Sequence, residues 1–384
     1  YGDHRDLHKE YRRQRQMCIR DSNIGWRPAA LIPIRIDGGS LLPRPGWDPI
    51  YDWQGFVPFE EMPFLYNPDR GYIATANNKI VDDDYPYYIS NQWAEPSRIE
   101  RIEEWLDSKD QLTVEDMKTL QNDWLSPFAR EVVPNIVRWL PQDLNKKETI
   151  ALNILNGWDY IEDKESAAAL IFHTVLDELL HNIYEDELSM IDDKAFDALV
   201  HFSMLPYRNI HWVLAEGQSS WIDDVTTPNH IETCTDIVSK SFSNAVKRIE
   251  LRVGINPAIC SWGEVHTLTH PHPLGKINFL DKLFGFNVGP FKTGGSTMTV
   301  NKGEYEVLQG FDQTVGASFR RIVDLKNMNN TQFVIPTGQS GQPNSSHYDD
   351  QAVLYNAGKY RTTWFDEDFI RNNTQFRHLV LLPD

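Results

Sequence analysis

An α+β fold is predicted for this 384-residue chain from three observations, taken in order along it. Residues 23–89 are rich in Gly, Pro and aromatic side chains around short apolar runs; residues 97–253 carry helical periodicity; and from Gly263 onward turn residues return with further β-rich pieces. Strands first, helices in the middle and strands last is the order of a segregated α+β chain.

Each element follows from a local signal. Leu31-Ile32-Pro33-Ile34 and Gly71-Tyr72-Ile73-Ala74 read as short strands between turn residues. Ile99, Ile102, Trp105 and Leu106 share one helical face, which predicts a helix over 97–108. Thr113 ahead of Val114, Glu115 and Asp116 has the form of an N-cap followed by an acidic first turn, opening a helix over 114–133. Further helices are predicted over 165–184, 192–204, 205–216 and 232–253, and β-rich pieces over 297–300, 316–325, 332–336 and 378–382. With no internal repeat and no low-complexity linker, 23–384 reads as one structural unit.

Composition narrows the function. At 41% apolar and 12% aromatic the chain buries a core and is not wholly disordered. Its net charge of -18 repels phosphate backbones and anionic lipid heads, so neither nucleic acid nor a membrane surface is an expected partner. The apolar runs at 29–36 and 378–382 have strand length, far below the roughly 18 residues of a membrane helix. Residues 1–22 are densely charged and lack the apolar middle of a secretory signal. Met17-Cys18-Ile19-Arg20-Asp21-Ser22 reads like a translated sequencing adapter, so 1–22 is expected to be a non-native leader. Cys234 and Cys260 match no zinc spacing and permit one disulfide in an oxidising compartment. A helix over 232–253 would span roughly 33 Å and leave only about five loop residues for the return, so two free thiols are expected.

The stretch Gly55-Phe56-Val57-Pro58-Phe59-Glu60-Glu61-Met62-Pro63, then Asn67-Pro68, Gly71-Tyr72-Ile73-Ala74-Thr75-Ala76-Asn77-Asn78, Asp84-Tyr85-Pro86 and Pro96-Ser97-Arg98-Ile99 resembles the middle of the β-subunit of penicillin acylases. Downstream the resemblance continues through Trp262-Gly263-Glu264-Val265-His266, His272-Pro273-Leu274, Gly294-Gly295 with Thr299-Val300-Asn301, and Gly338-Gln339-Ser340-Gly341 with Ser346-His347-Tyr348-Asp349-Asp350-Gln351. It implies part of an N-terminal-nucleophile hydrolase αββα sandwich with a helical insertion and a β-rich C-terminal part. It also implies a self-cleaving precursor, exported to the periplasm or beyond, that hydrolyses a linear carboxamide. In such a precursor a new N-terminal Ser attacks the amide carbonyl with its own α-amine as general base. The resemblance assigns the side-chain amide donor of the oxyanion hole to Asn77. To Arg98 it assigns the orientation of that amide or of the α-amine region.

The partners so implied are a small N-acyl amide substrate and the α-chain of the same precursor. Ser22-Asn23 imitates the start of a mature β-chain, yet only 55 residues separate Ser22 from Asn77, so the nucleophile is expected to lie upstream of this chain. The chain is accordingly read as an inactive fragment; a degenerate, non-catalytic acylase-like binding protein is the alternative. No cofactor is expected for catalysis. Family members carry a structural calcium near the region of Asp84-Tyr85-Pro86, but Ile89 stands where a carboxylate ligand is sought. His173, Asp177 and His181 share a helix face with spacing that suits a divalent ion, although a polar face is the commoner reading. His266, His270 and His272 straddle Pro271 and Pro273 and read as loop-packing residues, and Gly338 to Gly341 reads as a tight turn.

Overall fold

The structure, a computed structural model, describes residues 15–18, 23–36, 42–201, 204–253 and 260–373. Its residues mix helices and strands as the sequence predicts, and they fall into two compact units, Tyr1–Ile99 and Glu100–Asp384.

In the first unit, β1 (Arg15–Cys18), β2 (Ile24–Arg27) and β3 (Leu65–Tyr66) form an antiparallel sheet in that order, with Trp26 opposite Gln16 and Leu65. Asn67 closes the end of β3, its side-chain oxygen accepting from Ile24 N at 2.9 Å. A small core of Ile32, Val57 and Met62 lies beneath Ile34, Tyr87 and Ile89. The expected strand at 31–34 is only an isolated bridge between Pro33 and Phe56. Pro33 has no N–H to extend a ladder. The expected strand at 71–74 is loop, and the Tyr72 carbonyl accepts from Arg70 Nε at 3.2 Å rather than from a ladder partner.

Helix α1 (Ser97–Asp107) ends within a residue of its predicted limit. Helix α2 (Val114–Gln121) begins where predicted, with a reciprocal capping box between Thr113 and Asp116. It stops at Gln121 rather than near 133. Trp124 O accepts from Glu162 N at 2.9 Å and Ser126 N donates to Tyr160 O at 3.0 Å, which pulls the chain out of the helix. Ser126 then caps α3 (Pro127–Trp139), whose first residue is the proline that an N-terminal turn tolerates. Helix α4 (Lys146–Asn156) was not predicted, although Asn145 and Glu148 form a second capping box.

Helix α5 (Ala167–Ile191) is the core element. Ala168 to Asp177 are buried without a break, the pattern of a helix covered on all sides. Around it lie α6 (Ala195–His201), α7 (Met204–Glu216) and α8 (Cys234–Val253), the last presenting Ile237, Val238, Phe242, Ala245 and Ile249 to the shared core. The four blocks match the predicted helices with shifted ends; α5 runs on to Ile191, and Asp192 caps it there.

The remaining elements are β4 (Thr267–His270), α9 (Asn278–Phe284), β5 (Val288–Lys292), β6 (Gly303–Tyr305), β7 (Gln313–Gly316), β8 (Arg320–Ile322), β9 (Thr331–Val334), α10 (Ala352–Asn356), β10 (Arg361–Thr363) and α11 (Glu367–Asn372). They build a four-stranded sheet of order β5-β4-β7-β6, in which β4 and β7 run parallel, and an antiparallel sheet of order β10-β9-β8. The predicted strand at 297–300 is a buried turn, because the Ser296 and Thr299 hydroxyls take the local backbone partners a ladder would need. The predicted strand at 378–382 lies outside the described residues.

Four separate segments of this unit meet at one junction. Gly295 N donates to Glu162 O at 2.8 Å, Asn301 N to Asp123 O at 2.9 Å, and Trp262 Nε1 to Gly295 O at 3.0 Å.

Candidate active site and a buried polar cluster

Asn77 and Arg98 are brought together. Arg98, in the first turn of α1, donates from Nη2 to Asn77 Oδ1 at 3.1 Å. A guanidinium only donates, so the amide oxygen faces Arg98 and the NH2 end of Asn77 is turned away from it. The Asn77 backbone is left-handed at φ 62, a conformation Asn tolerates better than other side chains. It is held there by Ala94 N donating to Asn77 O at 2.9 Å, while Asn78 Oδ1 accepts from Ala76 N at 3.0 Å. Asn77 is exposed and Arg98 half-buried. The result is a side-chain amide donor whose orientation and backbone are both fixed.

The other candidates go elsewhere. On α5 the three side chains of the possible metal face turn to three partners: His173 to Tyr305, Asp177 to Arg248 at 2.9 Å, and His181 to Glu185 at 3.1 Å. Asp83 pairs with Lys79, and Ile89 packs on the apolar core of the first unit. Among the described residues no group of three or more His, Cys, Asp or Glu is placed to hold a metal ion. His272 caps a turn by accepting from Leu274 N and stacks on Phe286. Gly338 lies against the His347 carbonyl, where a Cβ would come within 2.1 Å, and Ser340 N donates to the same carbonyl at 3.0 Å; the Gly338 to Gly341 segment is bent but not the hydrogen-bonded tight turn expected of it. Cys234 and Cys260 are free and buried.

Sequence reasoning missed a buried polar cluster around α5. Trp262 is fully buried and stacked between two imidazoles, His173 at 4.4 Å and His266 at 4.6 Å between ring centroids. His173 Nδ1 bonds the Tyr305 hydroxyl at 3.0 Å, and its Nε2 faces Glu162 at 3.3 Å. His266 Nδ1 donates to Phe311 O at 2.6 Å, so its proton sits on that nitrogen. The legible signals were the motif from Trp262 to His266 and the polar helix face that carries His173; nothing around Glu162, Tyr305 or Arg248 marks them in sequence.

Burial holds His266 well below the usual imidazole range, at about 4, and raises Asp177 to about 6. His266 therefore contributes stability that is complete above about pH 6.5 and is lost as pH falls through about 4. Asp177 has the opposite sign: its contribution is present below about pH 4 and is lost as pH rises through about 6. Each window corresponds to about 3 kcal/mol, so between pH 4 and 6 the two largely offset. His266→Asn isolates one of them. The stability gap between wild type and variant, from urea midpoints, is expected to widen by about 3 kcal/mol between pH 4 and 6.5, and a constant gap would contradict a His266 that is neutral in the fold.

Among the described residues no helix is long and apolar enough to cross a membrane. Residues 14–372 match the family model described as penicillin amidase. The chain is 30% identical over 379 residues to acyl-homoserine lactone acylase QuiP of Pseudomonas syringae pv. tomato, covering 94% of this chain and 45% of that protein. To penicillin acylase 2 proenzyme of Pseudomonas sp. strain SE83 it is 29% identical over 341 residues, covering 86% and 41% respectively. It thus spans about half the length of the curated relatives it matches. Among solved structures, a thermostable penicillin G acylase from Alcaligenes faecalis superposes with a TM-score of 0.60 at 19% identity, covering 97% of this chain and 68% of that one. That likeness shows an N-terminal-nucleophile hydrolase fold of mixed helix and sheet.

Proposed function

Since this chain belongs to the penicillin amidase family, we propose that the full-length protein hydrolyses a linear N-acyl amide to a carboxylic acid and an amine, with Asn77 as an oxyanion donor. The observation that carries this reading is the hydrogen bond from Arg98 to Asn77 Oδ1, which leaves Nδ2 as the donor end of an amide on a fixed backbone. The chemistry runs through an N-terminal Ser supplied by sequence upstream of residues 23–384. Its hydroxyl adds to the amide carbonyl as the α-amine takes the proton, and the resulting oxyanion receives the N–H of Asn77. Collapse expels the amine, which takes that proton, and leaves an acyl ester. Water, deprotonated by the same α-amine, then releases the acid.

Relatives named as acylases of acyl-homoserine lactones and of penicillin support a substrate with an acyl chain on an amide nitrogen. A relative named as a proenzyme supports a partner α-chain cut from the same precursor. We place the protein in the periplasm or outside the cell on the family resemblance. Full-length protein incubated with phenylacetyl-4-nitroanilide and, separately, with a long-chain N-acyl-homoserine lactone is expected to release the free amine from at least one. Absence of turnover on both would overturn the amidase reading and favour a binding protein on the same scaffold.

A further inference from the structure

We propose that the cavity walled by Trp124 and Arg320 in the second unit is a binding site for a small organic carboxylate. This inference does not rest on the amidase reading. The cavity holds about 320 Å³, and its lining includes Lys164, Gln313 and Tyr355 beside those two residues, with Asn301 at its wall. Among the described residues no acidic side chain lines it, in a chain of net charge -18. Arg320 is only 6% exposed. Its Nη1 donates to Tyr355 O at 2.9 Å, its Nη2 donates to Asn301 Oδ1 at 2.7 Å, and its guanidinium lies 3.9 Å over the Tyr355 ring.

Both of those acceptors are neutral, and Nε is buried with no partner. A buried cation that meets only neutral acceptors is costly unless an anion joins it. Trp124 Nε1 is likewise buried without an acceptor. The Lys164 carbonyl accepts from Gly263 N at 2.7 Å, but its ammonium makes no hydrogen bond or ion pair among the described residues. Asp123, the carboxylate beside Trp124 in sequence, is held by Arg101 at 2.7 Å. Two cations and an indole N–H thus have donors to spare, and a carboxylate supplies the acceptors with the right charge.

The site is built rather than incidental. A Cβ on Gly294 would come within 2.9 Å of the Trp124 ring and one on Gly295 within 2.8 Å, so the two glycines let the indole lie against bare backbone. Thr299 Oγ1 donates to Asn301 O at 3.1 Å, which sets Asn301 against Arg320. The Gly294-Gly295 and Thr299-Val300-Asn301 motif, which the amidase chemistry leaves unused, therefore shapes this cavity. The volume lies at the small end of ligand sites, and the aromatic walls suit a short carbon chain better than a bare inorganic ion. Gln313 Oε1 is buried without a donor, which favours a ligand that also carries a hydroxyl or amino group.

Calorimetric titration of the protein with lactate, propionate, chloride and inorganic phosphate tests the proposal. Saturable binding of lactate and propionate is expected, lactate the tighter, with chloride and phosphate at least tenfold weaker. Lys164→Met and Trp124→Phe, which leave the Arg320 contacts intact, should each weaken lactate about tenfold, the value of one charge-assisted hydrogen bond or somewhat less. Circular dichroism of both variants, matched to wild type, ties the loss to the site rather than to misfolding. Absence of carboxylate binding would overturn the proposal, as would phosphate binding as tight as lactate or lactate affinity unchanged in both variants.

Discussion

Asn77→Ala in the full-length protein is expected to lower kcat by two to three powers of ten, with a much smaller change in KM. An oxyanion donor acts on charge that develops only in the transition state, so its loss appears in kcat, and one such donor is typically worth about 3–4 kcal/mol of barrier. The left-handed backbone at Asn77 complicates the reading of Ala, because Ala lacks the short polar side chain that lets Asn tolerate this region and so costs about 1 kcal/mol that has nothing to do with chemistry. Asn77→Gly separates the two effects. Glycine accepts φ 62 freely and lacks the amide, so it should lose as much kcat as Ala while unfolding at a higher urea concentration than Ala. Steady-state kinetics on a chromogenic anilide measures both, and a drop below threefold in either variant would remove Asn77 from the mechanism.

Trp262→Ala is expected to destabilise the second unit by about 3–5 kcal/mol, the usual cost of truncating a fully buried large aromatic residue. The side chain is 0% exposed, stacked between His173 and His266, and its indole N–H serves the Gly295 carbonyl at 3.0 Å. Truncation opens a cavity, leaves that carbonyl without its donor and separates two imidazoles from the ring that spaces them. Trp262→Phe should cost distinctly less, since it keeps a stacking face and loses mainly the hydrogen bond. Urea unfolding followed by circular dichroism gives both numbers. A cost under 1 kcal/mol for Ala would mean that the ring is not a structural wedge.

Much of the helical layer was legible because its signals are local. Thr113 with Asp116 marks a helix start without reference to any other segment, and the face of Ile99, Ile102 and Leu106 repeats within one helix. The break after Gln121 was hidden because its cause, the pairing of Trp124 and Ser126 with residues 160–162, is a long-range event. The missed helix at Lys146–Asn156 is a different failure, since its capping box was there to be read. The strand expected at 297–300 failed because β-prone residues there sit among hydroxyls that satisfy the backbone locally. As candidates, Asn77 and Arg98 come from the family-like motif alone; the αL backbone and the hydrogen bond between them have no trace in composition or period. The buried cluster assembles residues as far apart as Glu162, His266 and Tyr305, and no sequence window contains them together.

The junction of Asp123, Glu162, Trp262 and Gly295 also has a consequence for the order in which the molecule can be made. On a ribosome the chain emerges N-terminal end first, and every segment of α2 to α8 is made before Gly295 and Asn301 exist to close the bonds. The loop from Glu162 to Gly295 encloses 132 intervening residues, a closure that comes late on entropic grounds as well. Until then Trp262 and the two imidazoles beside it have no Gly295 carbonyl to dock on, and the apolar wall of α5 stays partly uncovered. Completion of this unit is thus tied to translation of its last third, which makes the nascent helical layer the stage most exposed to aggregation and to chaperone capture.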